Sequence, residues 1–343
     1  MSNSSIEVKE RRLGLPFSSL RGSAIHLFLV LGLSLLPFVL PRYILSLAIE
    51  VLLFAIFAMS LDLLLGYTGL VSFGHAAFFG LGGYLVAFLA RGPSANLLIT
   101  VPIVLIGTGI AAGIIGYLVL RTRGIYFLML TLAISQMLFG LAVKWTAVTG
   151  GSDGLSGIPR PHISLAGLSW EFDSNVRFYY LVALAFLVSW WTLRRFVSSP
   201  FGQTLRGVKE NESRMRALGY NTWRYTLAAF VIAGAFGGLS GLLFTHFNWH
   251  AAPESLYYTV SGQVMMMVII GGSGTLIGPI LGAALVRLLP SFASTYIDRW
   301  QTLMGLIFMA FVLYAPGGII GIKEFYQRRT RQLKAPTSED TGK

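Results

Sequence analysis

Apolar runs long enough to cross a bilayer recur from residue 23 to residue 320, and nothing else in the chain constrains its fold as tightly. A helix needs about 20 mostly apolar residues to span the hydrocarbon layer. A transmembrane β-barrel would need short segments of alternating polarity, and these runs are continuous. The implied class is an all-α polytopic membrane protein. Ten transmembrane helices can be drawn, at about 23–40, 43–65, 69–90, 97–120, 124–145, 178–193, 224–245, 257–271, 275–290 and 300–320.

The placement of charge tests that drawing. With the N-terminus in the cytoplasm, four basic residues precede the first span and two lie at Arg121 and Arg123. Seven more fall between Arg194 and Arg224 and six beyond residue 320, so 19 of the 26 Lys and Arg residues lie inside. Arg42, Arg91, Lys144, Arg160, Arg177, Arg287 and Arg299 remain. Cytoplasmic loops are enriched in Lys and Arg, so the bias favours ten spans with both N- and C-termini cytoplasmic. The division is then a tail at 1–22, a transmembrane domain at 23–320 and a basic tail at 321–343. Within the domain, a loop at about 194–223 faces the cytoplasm and one at about 146–177 faces outside.

The same distribution explains the net charge of +12 without nucleic acid, because the cations sit in loops and tails around the spans. The basic KERR and Arg21 precede the first apolar run, and no small-x-small cleavage motif follows it, so it reads as a retained span. Cysteine is absent, which excludes disulfides, thiolate metal sites and cysteine nucleophiles.

Residues 205–225, LRGVKENESRMRALGYNTWRY, hold seven charges, against 40 in all 343 residues. This segment is too polar for lipid. Its length allows one or two short helices, with Gly219 as a stop. A solvated loop that only fixes topology is the bland reading; a docking element for a soluble cytoplasmic partner is the sharper one.

Two glycine-rich stretches lie at membrane depth. The first, GYTGLVSFGHAAFFGLGG at 66–83, contains six glycines and His75. The second, GGSGTLIGPILG at 271–282, places Pro279 inside a predicted span. Lipid cannot satisfy the backbone of a broken helix, so such backbone must face protein or a watery cavity. Gly66, Gly69, Gly74, Gly271, Gly272, Gly274 and Pro279 are therefore candidates for lining a route. The pairs Gly109–Gly113, Gly234–Gly238, Gly237–Gly241 and Gly278–Gly282 have the small-xxx-small spacing of close helix packing.

Few ionisable groups fall within the spans. Glu50, Asp62, His75 and Arg287 are the ones to explain, since such residues are functional hypotheses by default. Asp62 lies near an inner span end, within reach of the interface. Glu50 and His75 are candidates for the interior, as route-lining groups or as buried hydrogen-bond partners. His246 and His250 have a metal-compatible spacing but only Glu254 as an obvious third ligand, which argues against a zinc site. There is no G-x-x-x-x-G-K-[ST], so the chain has no P-loop for ATP. No nucleophile–base pair points to an enzyme. A stand-alone secondary transporter would want more interior carboxylates than Glu50. In the outside loop, TGGSDGLSGIP is turn-rich, making Gly150, Gly151, Asp153 and Gly154 candidates for facing ligand or partner.

Six stretches in order carry a resemblance: GYTGLVSFGHAAFFGLGGY (66–84), RGIYFLMLTLAISQML (123–138), TGGSDGLSGIP (149–159), LRGVKENESRMRALGYNTWRYTLAAFVIAGAFGGLSGLLF (205–244), GGSGTLIGPILGAAL (271–285) and APGGIIG (315–321). The chain resembles the LivM-type permease subunits of bacterial ABC importers for branched-chain amino acids. The resemblance implies a multi-pass protein of the bacterial plasma (inner) membrane with an inverted repeat, spans 2–5 against 7–10. It implies a heterodimer with a second permease subunit, two cytoplasmic ATP-binding subunits and a periplasmic or lipid-anchored substrate-binding protein. No cofactor is expected in this chain; ATP and Mg belong to the partner ATPase, and the chain itself is not an enzyme. Arg206, Glu210, Asn211, Glu212, Ala217, Leu218 and Gly219 then fall in the ATPase-coupling loop. Urea and short-amide permeases share most of these motifs and, with aromatic-acid and organic-acid importers of similar type, are the alternative substrate classes, though Asp153 stands where the urea branch typically carries Asn.

Overall fold

A computed structural model of the chain describes residues 34–37, 40–91, 95–165, 168–294, 299–315 and 317–321. The tail 1–22, all of 322–343 and most of the expected span 23–40 lie outside the described residues. The chain divides into two units, one ending at Pro41 and one beginning at Arg42. In the first, residues 34–37 form a helical turn.

The second unit is built of helices: α1 (Arg42–Leu65), α2 (His75–Arg91), α3 (Leu97–Val119), α4 (Ile125–Lys144), α5 (Asn175–Ser198), α6 (Pro200–Ala217), α7 (Thr222–Asn248), α8 (Tyr258–Gly271), α9 (Ile277–Ala293) and α10 (Trp300–Tyr314). Five of them, α1, α3, α4, α5 and α7, are long and apolar enough to cross a membrane; α2, α8 and α9 and residues 301–314 of α10 are shorter apolar helices. The protein is a multi-pass membrane protein.

Burial sorts the helices by role. From Leu52 to Leu64 every residue of α1 is buried, and α5, α7, α8 and α9 pack on it. A helix that is apolar all round belongs in an interior. The helices α3 and α4 are equally greasy but expose Ile103, Ile106, Ile110, Ile114, Tyr126, Met129 and Met137. Side chains of that kind suit lipid.

Small residues set the closest crossings. A Cβ on Gly82 would run into the Gly238 carbonyl, one on Gly241 into the Phe79 carbonyl, and one on Gly282 into the Met267 carbonyl. These contacts lock α2 to α7 and α8 to α9, as backbone approach through small residues does in membranes. The expected pairs Gly234–Gly238, Gly237–Gly241 and Gly278–Gly282 take part. Gly109 and Gly113 do not need to be glycine: an added Cβ would sit 3.7 Å from Val231 in ordinary contact.

Three expectations are corrected. The helix drawn from residue 69 begins only at His75, because Gly69 is left-handed (φ +76°) and the Phe73 N–H goes to Thr131 Oγ1 (3.2 Å) rather than into a helix. The fold is not purely helical: β1 (Leu155–Ser156) pairs with β4 (His250–Ala251), and β2 (His162–Leu165) with β3 (Leu168–Glu171), both antiparallel. Pro279 is in the first turn of α9, where a missing N–H is tolerated, so it does not break that helix.

Candidate functional site

The charged block of the sequence becomes α6. Ser199 caps its start, with Pro200 at the first position. Gly202, Thr204 and Leu205 are buried and seat the helix. At Asn211 the backbone leaves helical geometry (φ −159°, ψ 96°), and the Asn211 Oδ1 accepts the Arg214 N–H at 2.9 Å. Asn211 therefore ends one short helix and caps the next, an N-cap role that Asn fills well. Gly219, at φ +88°, closes the second helix: its N–H reaches Arg216 O and the Tyr220 N–H reaches Met215 O.

Glu212 clamps this unit in place. Its Oε1 accepts from Arg123 (2.8 Å), Arg216 (2.5 Å) and the Thr222 hydroxyl (3.0 Å). Those bonds tie the α6 tip to the α3–α4 turn and to the start of α7. Glu210, Asn211, Arg214, Ala217, Leu218 and Gly219 remain exposed, and Leu218 is 66% exposed at the tip. Among the coupling-loop candidates, Glu212 is the one whose carboxylate joins the tip to other segments of the chain.

The base of α6 reaches the glycine-rich turns. Lys209 Nζ donates to the Gly66 carbonyl oxygen at 2.8 Å, and the Arg206 guanidinium lies 5.0 Å from the Tyr67 ring centre. The Lys209 stem also passes Gly69. Gly66 has no room for a side chain, with Asp62 and Gly274 against it. Asp62 closes the set. Its Oδ1 accepts the Gly274 N–H (2.7 Å) and its Oδ2 the Leu276 N–H (3.2 Å). It is fully buried rather than reaching the interface. It holds the α8–α9 turn in a conformation with left-handed Gly274 (φ +80°) and left-handed Leu276 (φ +57°). The latter is unfavourable for a side-chain-bearing residue by about 1–2 kcal/mol. Gly271 and Gly272 complete the turn, packed against Gly278 and Gly317. The two glycine stretches, far apart in sequence, thus meet at one end of the bundle beside α6.

His75 sits in the core. Ser60 Oγ donates to Phe57 O (2.7 Å), so His75 Nε2–H is the donor to Ser60 Oγ at 2.8 Å, and the imidazole stacks on Phe57. Gly74 lies against Thr131, and the Ser261 hydroxyl of α8 accepts the Ala76 N–H (2.8 Å). The broken backbone before α2 faces protein, as its polarity requires. Glu50 and Arg287 are half-buried, and the Arg287 guanidinium lies 3.4 Å from the Phe54 ring centre.

At the other end of α7, the turn-rich loop is locked by its glycines. Gly150, Gly151 and Gly154 all have positive φ, and a Cβ on Gly154 would meet the Ala251 carbonyl. Asp153 is exposed. His246 Nδ1–H donates to Pro159 O (2.9 Å), while His250 Nδ1 lies 3.0 Å from Ser156 Oγ. The two histidines thus serve separate contacts, and no group of three metal-ligating side chains occurs among the described residues. Arg160 lies between the Phe178 and Trp249 rings and donates to Asn175 Oδ1 at 2.8 Å. Burial lowers its affinity for the proton, with Asp173 opposing the effect. Sequence spacing gave no sign of the Asp62 clasp, the Lys209 contact or the Arg123–Glu212 bond, because each joins distant segments.

The family described as branched-chain amino acid transport system / permease component matches residues 43–315. The chain is 28% identical over 303 residues to the high-affinity branched-chain amino acid transport system permease protein LivM of Escherichia coli K12, covering 83% of this chain and 71% of that one. It is 27% identical to LivM of Salmonella typhimurium LT2 over the same shares. It is 23% identical to the permease LivH of Salmonella typhimurium LT2, covering 79% of this chain and 92% of LivH. No solved structure matches the chain. With 43–315 of its 343 residues matched, the chain belongs to the branched-chain amino acid transport system permease family.

Proposed function

We propose that this protein is a permease subunit of an ATP-driven importer and forms part of the route for branched-chain amino acids across the plasma (inner) membrane. ATP and Mg are bound, and ATP is hydrolysed, by two separate cytoplasmic subunits. A second, related permease completes the membrane part, and a periplasmic or lipid-anchored protein delivers substrate. The relatives named LivM and LivH support the paired arrangement, since this chain is similar to both.

Ten spans with both termini in the cytoplasm place α6 inside the cell and the β1–β4 pair outside. In this arrangement α6 is the docking helix. The supporting observation is a single connected structure. An exposed tip at Glu210–Gly219 is hinged at Asn211, and its base holds Gly66 through Lys209. Next to Gly66, Asp62 holds the Gly274 turn. A subunit gripping the tip therefore pulls on both glycine turns at once. An inverted repeat of α1–α4 and α7–α10 also accounts for the packing. The third helix of each set, α3 or α9, lies against the first helix of the other, α7 or α1.

The test is uptake by cells expressing the protein with and without its ATP-binding subunits and binding protein. Leucine should accumulate only with all components present. Uptake of urea or benzoate in place of leucine would move the substrate class, and proton-driven uptake by this protein alone would overturn the permease reading.

A further inference from the structure

Among the charged groups of the spans, Asp62 is fully accounted for by two backbone N–H donors. Glu50 and Arg287 are not. Glu50 stands on α1 with Phe54 one turn further along the same face, and Arg287 is the one charged residue of α9. The two helices pack together, and the two charges feel each other electrostatically. Yet the two salt bridges among the described residues both belong to Glu212 at the α6 tip. Arg287 lies flat on Phe54, and its Nε is buried with no hydrogen-bond partner.

An unpaired guanidinium at this depth is expensive to maintain, and stacking on a ring offsets only part of that. A structural ion pair would bring the two groups into contact. Here no salt bridge joins them, and each is half-buried. The arrangement offers a cation with fork-shaped donors on α9 and an anion acceptor on the helix packed against it, one turn from the ring that carries the guanidinium. An α-amino acid carries the complementary charges on adjacent atoms.

We propose that Arg287 and Glu50 form a subsite for a zwitterionic α-amino acid in transit. Arg287 takes the carboxylate, in the paired geometry that guanidinium favours, and Glu50 takes the ammonium. Phe54 holds the guanidinium in position from below. The inference rests on the permease reading above and adds a selectivity step within the membrane, after release from the binding protein.

The test uses the assembled complex of both permeases and both ATP-binding subunits, without binding protein, in detergent. Binding of leucine is compared with leucinamide, which lacks the carboxylate, and with 4-methylpentanoate, which lacks the ammonium. The unaltered complex should prefer leucine over both. In Arg287→Gln the preference over leucinamide should fall by about tenfold, the worth of one charge-assisted contact, while the preference over 4-methylpentanoate persists. In Glu50→Gln the pattern should reverse. Arg287→Lys should keep part of the carboxylate preference. Co-purification of the ATP-binding subunits confirms that each variant assembles. Unchanged preference ratios in both assembled variants overturn the subsite and leave the permease reading intact. Loss of assembly in both, with Arg287→Lys assembling at unchanged ratios, marks a structural pair and also overturns it. If the unaltered complex binds no leucine and the full transporter carries none, the substrate reading falls with it.

Discussion

Lys209 Nζ donates to the Gly66 carbonyl oxygen at 2.8 Å, bridging 143 positions of sequence. The bond joins the base of a charged helix to a glycine turn that follows α1, the most buried of the five long apolar helices among the described residues. A hydrogen bond from a charged group contributes about 1.5–3 kcal/mol. Lys209→Met keeps the stem against Gly69 but removes the bond. The expected result is a complex that assembles and hydrolyses ATP but moves about tenfold less leucine per ATP. Parallel uptake and phosphate-release measurements in proteoliposomes check this.

Asp62 is predicted to matter for stability more than any other charged residue of α1. Asp62→Ala leaves the Gly274 and Leu276 N–H groups without their acceptor, in a turn that already contains a left-handed leucine. Each buried unpaired donor costs about 1–3 kcal/mol. Asp62→Ala should lower the unfolding temperature in detergent sharply, and Asp62→Asn, which retains one acceptor oxygen, should do so less. Equal effects of the two would contradict the clasp.

Two neighbouring glutamates should separate docking from folding. Glu210→Lys changes an exposed side chain and should weaken retention of the ATP-binding subunits without altering the melting of the permease. Glu212→Lys loses three hydrogen bonds, two of them from arginines. The carboxylate is partly exposed, so the loss should be about 1–2 kcal/mol, visible as lower thermal stability. Pull-down and thermal-shift assays on the same preparations make the comparison.

The glycines offer an internal control. Gly241→Ala sets a methyl against the Phe79 carbonyl and should prevent folding of the α2–α7 pair, whereas Gly109→Ala places it in ordinary contact with Val231 and Ala235. The latter should be neutral or stabilising by up to about 1 kcal/mol, the helix gain of Ala over Gly. Expression yields in detergent extracts distinguish them.

Sequence reading located most of the long helices because an apolar run without charge has few alternatives. Gly219 was legible as the stop of the charged segment for a local reason, since cap chemistry acts over a few residues, whereas the break at Asn211 was not read from the sequence. The start of α2 was missed because Phe73 and Ala76 donate to Thr131 and Ser261, partners that only tertiary folding supplies. Asp62 looked like an interface residue for the same reason: its partners lie more than 200 positions away. Glu212 was placed in the coupling loop by resemblance; of its partners, Arg216 stands four positions along the same segment and was within reach of sequence reading, whereas Arg123 lies 89 positions away.

The central claim is that α6 faces the cytoplasm and carries force from ATP-binding subunits. The chain has no cysteine, so single cysteines can be placed at exposed Ser213 on the α6 tip and exposed Ser152 in the opposite loop. The decisive measurement is labelling of each by a membrane-impermeant maleimide in intact cells and in inside-out vesicles, with and without the ATP-binding subunits. The account predicts that Ser152→Cys labels in intact cells, and that Ser213→Cys labels only in inverted vesicles, where the ATP-binding subunits protect it. Labelling of Ser213→Cys from outside intact cells would contradict it.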